Sequence, residues 1–150
     1  MSQSTFQTSP QSAFQTTLLG LFDDCLQRYA GAECVCLSTT DGFPVASRTL
    51  AHIQFEADAM AAASSTLFSV SNAVSQQMLD RPFRVAFVES ERGNMAFVSL
   101  SVGQQDYVLT MSASDEMNIG QLRAFINRLA RQIVEQCEAP EAPASRLAAS

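Results

Sequence analysis

Any chemistry performed by this 150-residue chain has to start from a short list of side chains. His52 is the single histidine, so His-dependent catalysis would have to use it. Asp41, Glu56 and Asp58 lie near it in sequence, and serine is abundant. No G-x-S-x-G turn is present, however, to present a serine as a nucleophile. Each of these residues has a simpler structural reading. His52 is an ordinary polar residue between a strand and a helix. Asp41-Gly42 is a hairpin turn, where glycine takes positive φ without steric cost. Glu56 and Asp58 fall in the first turn of a helix, where negative charge suits the helix dipole. The sequence therefore nominates no catalytic residue.

Cys25, Cys34, Cys36 and Cys137 have neither zinc-ribbon nor CxxC spacing. Cys34 and Cys36 share one face of a strand and read as buried free thiols, so neither a metal nor a cofactor is expected. Free thiols fit a reducing cytoplasm. Lysine is absent and all nine cations are arginine. That excludes a Walker-type phosphate loop and Schiff-base chemistry. The formal charge of -6 argues against nucleic-acid binding, which needs a basic footprint. No charged-then-apolar leader and no membrane-length apolar run is seen, so no membrane association is expected.

The elements carry more information than the reactive groups. A helix is predicted from Glu56 to about Leu79, with no charged residue between Asp58 and Asp80. Surface helices normally keep a charged face for water. At 3.6 residues per turn this one shows two stripes. Met60, Ala63, Leu67, Val70, Val74 and Met78 form a bulky stripe, suited to a sheet beneath. Ala57, Ala61, Ser64, Phe68, Ser71 and Ser75 form a second, built almost wholly from small side chains. The expectation is that the bulky stripe packs on the helix's own domain and the small stripe on another protein surface, most simply a second copy. Phe68, the lone aromatic of that stripe, is expected to be a seam anchor or a contact for a third partner, with packing on the sheet as the alternative.

Around this helix the pattern is regular. Residues 1–12 and 138–150 are polar or Ala/Pro/Ser-rich tails expected to be disordered, flanking one domain at 13–137. A first helix starts at Ala13, with Phe14, Leu18, Leu21, Phe22 and Cys25 three or four apart. Strands are predicted at Glu33–Thr39 and Phe43–Thr49, joined by the Asp41-Gly42 turn. Pro44 places the second of these on a sheet edge. Three further strands follow at Phe83–Glu89, Met95–Val102 and Asp106–Ser112, and a last helix at Asn118 to about Cys137. Arg84, on the third strand, has two readings: on an edge strand its charge would discourage unwanted pairing while allowing one specific mate, or it simply faces solvent at the strand end. Every apolar stripe is satisfied by an α+β fold: one five-stranded antiparallel sheet, terminal helices on one face and the middle helix on the other.

Four stretches in this order resemble the roadblock family, named for a dynein light chain and found also in bacteria and archaea. They are the Asp41-Gly42-Phe43-Pro44-Val45-Ala46-Ser47 hairpin and the Ala59-Met60-Ala61-Ala62-Ala63 opening of the middle helix. Gly93-Asn94-Met95-Ala96-Phe97-Val98 through Val102-Gly103 is the third, and Asn118-Ile119-Gly120-Gln121-Leu122-Arg123 the fourth. The resemblance covers about residues 14–137. It implies a roadblock/profilin-like fold and a homodimer, or a heterodimer with a related chain, whose third strands pair and whose middle helices lie side by side. It also implies a non-enzymatic platform, and for several bacterial members one whose partner is a Ras-like small GTPase bound on or near the paired helices. The chain departs from the family in lacking lysine and in its Ser-rich middle helix. Two alternatives stand beside the GTPase platform. One is a structural adaptor, the other a small-molecule sensor with a pocket between the terminal helices and the sheet.

Overall fold

The computed structural model describes residues 10–138. In chain order they form α1 (Pro10–Arg28), β1 (Ala32–Thr39), β2 (Pro44–Thr49), α2 (Ala57–Met78), β3 (Val85–Ser90), β4 (Gly93–Val102), β5 (Gln105–Ser114) and α3 (Ile119–Glu138). These are the expected elements in the expected order. Their ends shift by a few residues. α1 begins at Pro10, so residues 10–12 belong to its first turn, where the N–H that proline lacks is not needed. The tails expected over residues 1–9 and 139–150 lie outside the described residues. Asn118 caps α3 rather than opening it. Its Oδ1 accepts from Gln121 N–H at 2.8 Å while Gln121 Oε1 accepts from Asn118 N–H at 3.0 Å, a reciprocal capping box.

The strands form one antiparallel sheet in the order β2-β1-β5-β4-β3. β2 and β3 are its edges, which puts Pro44 where a missing donor does no harm. Because side chains alternate along a strand, the sheet has two faces of different character. Val35, Leu37, Ala96, Val98, Leu109 and Met111 join Leu18, Phe22, Leu122, Ile126, Leu129 and Ile133 of the terminal helices in the main core. Each of the larger of these side chains contributes about 1.5–3 kcal/mol when fully buried. α1 and α3 are further tied by Tyr29 stacked on Phe125 at 3.8 Å and by Arg128 Nη1 donating to Tyr29 Oη at 3.2 Å.

The opposite face presents Cys34, Cys36 and Ser38 of β1, Thr110 and Ser112 of β5, and Phe97 of β4. α2 lies across it, reaching β1, β2, β4 and β5. The layers are therefore as predicted: terminal helices on one face, middle helix on the other.

Candidate functional site

α2 carries both stripes, but they are used the other way round. Ala61 and Ser64 are its fully buried residues, with Ala57, Phe68, Ser71 and Ser75 partly buried beside them. Ser64 Oγ and Thr110 Oγ1 share a buried hydrogen bond of 2.8 Å. Phe68 meets Phe83 edge-on with ring centroids 5.7 Å apart, and Phe83 stacks on Phe97 of the sheet at 5.9 Å. The small stripe, expected to face a partner, faces the protein's own sheet. The cause lies in the surface beneath it. Ser38, Thr110 and Cys36 are all buried there, and small side chains above them let helix and sheet approach closely. The hydroxyls of one layer then find partners in the other, which offsets the cost of burying them. Ser38 Oγ alone of these is left without a partner.

The bulky stripe consequently points outward. Met60 and Leu67 are half-buried, Ala63 is exposed, and Val70, Val74 and Met78 are 59%, 45% and 76% exposed. No charged side chain interrupts the stripe, because α2 has none beyond Asp58. On the same side of the sheet Val88 of β3, paired in register with Met95, is also exposed.

The two sheet edges differ as well. On β2, Pro44 removes one donor, Gln15 Nε2 of α1 occupies Val45 O at 2.7 Å, and Arg48 pairs with Asp23 at 2.9 Å. Among the described residues no strand lies beyond β3. Arg84 is exposed and immediately precedes β3, rather than standing within it as expected.

The reactive groups do not converge. Among the described residues no three His, Cys, Asp or Glu side chains are grouped as a metal ion would require. His52 is exposed in the connection before α2. Burial pushes the thiols of Cys25 and Cys34 up to about 11 and that of Cys36 up to about 12, so they stay protonated and poorly nucleophilic. The space between the terminal helices and the sheet is occupied by Leu18, Phe22, Leu122 and Ile126, all fully buried. At its margin, between α3 and β4, an apolar depression of about 280 Å³ is lined by Leu100, Ala130 and Val134, with Arg131 and Glu135. No helix of the described residues is long and apolar enough to cross a membrane.

Val70, Val74 and Met78 are thus outward residues that helical spacing alone assigns to the interior, and Val88 is one it does not single out. A signal for them existed. β1 alternates Cys34, Cys36, Ser38 with Val35, Leu37, and β5 alternates Thr110, Ser112 with Leu109, Met111. A sheet face that is small at Cys36, Ser38 and Thr110 leaves room for the small stripe, with Phe97 and Val108 filling the rest.

No family model matches the sequence, and no curated protein matches it either. Solved structures do share its fold. The gliding protein MglB from Thermus thermophilus superposes with a TM-score of 0.72 at 14% identity, over 85% of this chain and 93% of that one. A Roadblock/LC7 domain from Streptomyces avermitilis gives 0.65 at 22% identity, over 76% and 92%. Profilin II from Acanthamoeba castellanii gives 0.54 at 14% identity, over 82% and 98%. The fold is that of the roadblock and profilin structures.

Proposed function

We propose that this roadblock-fold protein is a non-enzymatic regulatory scaffold of the cytoplasm. It self-associates through the bulky flank of α2 and the open edge of β3, and the resulting platform binds a Ras-like small GTPase. The observation that carries the reading is the uncharged flank of Val70, Val74 and Met78, on the same side of the sheet as exposed Val88. An uncharged run of large exposed apolar side chains along one helix flank is the kind of surface that interaction sites present. An unpaired strand supplies main-chain hydrogen bonds to a mate, and a two-fold arrangement lets one patch serve both copies. Arg84, exposed just before β3, falls at the end of that edge.

The GTPase enters through the resemblance to the roadblock family, whose fold this chain shares. The mechanism needs no catalytic residue. A platform that binds one nucleotide state better than the other shifts the switch toward that state, and one that fits both equally shifts nothing.

The test uses the purified protein as bait in lysate of its source organism, with either GDP or a non-hydrolysable GTP analogue added. A Ras-like GTPase identified by mass spectrometry in one nucleotide condition only is the expected result. Retention of other proteins regardless of nucleotide, with no GTPase among them, contradicts it.

A further inference from the structure

The β1–β2 hairpin ends in an exposed aromatic ring held on a fixed backbone. Phe43 is 64% exposed. Thr39 N–H donates to Phe43 O at 2.9 Å, Phe43 N–H donates to Thr39 Oγ1 at 3.0 Å, and Gly42 N–H donates to Thr39 O at 3.1 Å. The turn is also braced against α2. Ser65 Oγ donates to Thr40 O at 2.6 Å, and a Cβ on Gly42 would lie 3.7 Å from Ser65 Cβ and 3.8 Å from Ala62 Cα. With φ at +100°, Gly42 holds a conformation that side chains rarely adopt. A tip of this kind loses little conformational freedom on binding, which is where much of the cost of association normally lies.

Two carboxylates lie on the hairpin's side of the molecule. Asp41 is exposed in the turn itself. Asp58 is exposed on α2 four residues before Ala62, hence on the side of the helix that touches the hairpin. Among the described residues neither carboxylate belongs to an ion pair; the two pairs present are Arg28–Asp24 and Arg48–Asp23. We infer that the hairpin tip is a docking knob for a basic protein segment. Phe43 enters an apolar socket on the partner while Asp41 and Asp58 meet Arg or Lys at the rim. Carboxylates at the rim oppose an anionic lipid surface and the phosphates of nucleic acid, and complement the cationic side chains of a basic protein segment. Ser65, which braces the hairpin, and Val74, on the bulky flank, are nine residues apart, about half a turn around the helix. The knob and the self-association flank therefore point apart and can be occupied together.

The probe is a random peptide library displayed on phage, selected on the full-length protein and counter-selected on its Phe43→Ala variant. Enriched peptides are expected to place Arg or Lys beside large apolar residues. As synthetic peptides they should bind about tenfold or more weakly to Phe43→Ala. They should also weaken with added salt and with Asp41→Asn plus Asp58→Asn. Since Phe43 is exposed, circular dichroism and sedimentation of Phe43→Ala should match those of the parent. Failure to enrich any peptide, equal binding to Phe43→Ala, or enriched sequences without basic residues would each overturn the assignment. So would retention on anionic vesicles in place of peptides.

Discussion

At the scale of single residues, the buried thiols couple stability to pH. Desolvation is the main cause of the raised values at Cys25, Cys34 and Cys36, with Asp24 adding to the first and Cys34 to the last. A thiol in the unfolded chain ionises near about 8.5. Above that pH the unfolded state loses protons that the folded state keeps, so folding becomes less favourable as pH rises. The contribution is complete below the unfolded value and is lost as pH climbs through the folded values of about 11 to 12. The urea midpoint should therefore be flat around neutrality and fall above about pH 9. Replacing the three cysteines with alanine should flatten that slope. At mildly alkaline pH a thiol alkylating reagent should leave all three unlabelled in the native protein and label them once urea unfolds it. Rapid labelling of native Cys36 would contradict its burial.

At the scale of elements, the decisive feature is the inverted use of α2. Ser64→Arg places a guanidinium opposite Thr110, with no carboxylate among the buried residues to receive it. Burying it unpaired costs several kcal/mol. The variant should lose that much in urea unfolding or fail to fold; normal stability with altered self-association would instead place the small stripe at the seam. Much of this was legible in the sequence. The periodicity of α2, the Asp41-Gly42 turn, the edge position of Pro44 and the layer order all follow from spacing and turn chemistry. What spacing could not decide was which stripe faces inward, because both have helical period. The rule that bulk goes inside favoured Val70 and Val74 over Ala61 and Ser64. It failed because the part of the sheet beneath Ala61 and Ser64 offers small polar side chains, Ser38, Cys36 and Thr110, with the bulk supplied from the sheet by Phe97 and Val108. Strand composition had to be read face by face, and the pairing register of β1 with β5 shows which residues share a face.

At the scale of the whole molecule, the two sheet edges and the two sides of α2 present different surfaces. Neither β2 nor β3 has a strand beyond it among the described residues, but the β2 edge carries Pro44, Gln15 on Val45 O and the Arg48–Asp23 pair. One side of α2 braces the Phe43 hairpin and the other carries Val70, Val74 and Met78. This arrangement is what a scaffold needs if it is to pair with itself and still present a separate contact.

The central claim is that the bulky flank of α2 is the self-association surface, and sedimentation velocity at micromolar concentration tests it directly. The parent protein should sediment as a dimer or higher assembly. Val74→Glu, which charges that flank without entering the protomer's own core, should sediment as a folded monomer with an unchanged circular dichroism spectrum. A parent that is already monomeric, or a Val74→Glu variant that remains fully associated, would contradict the account.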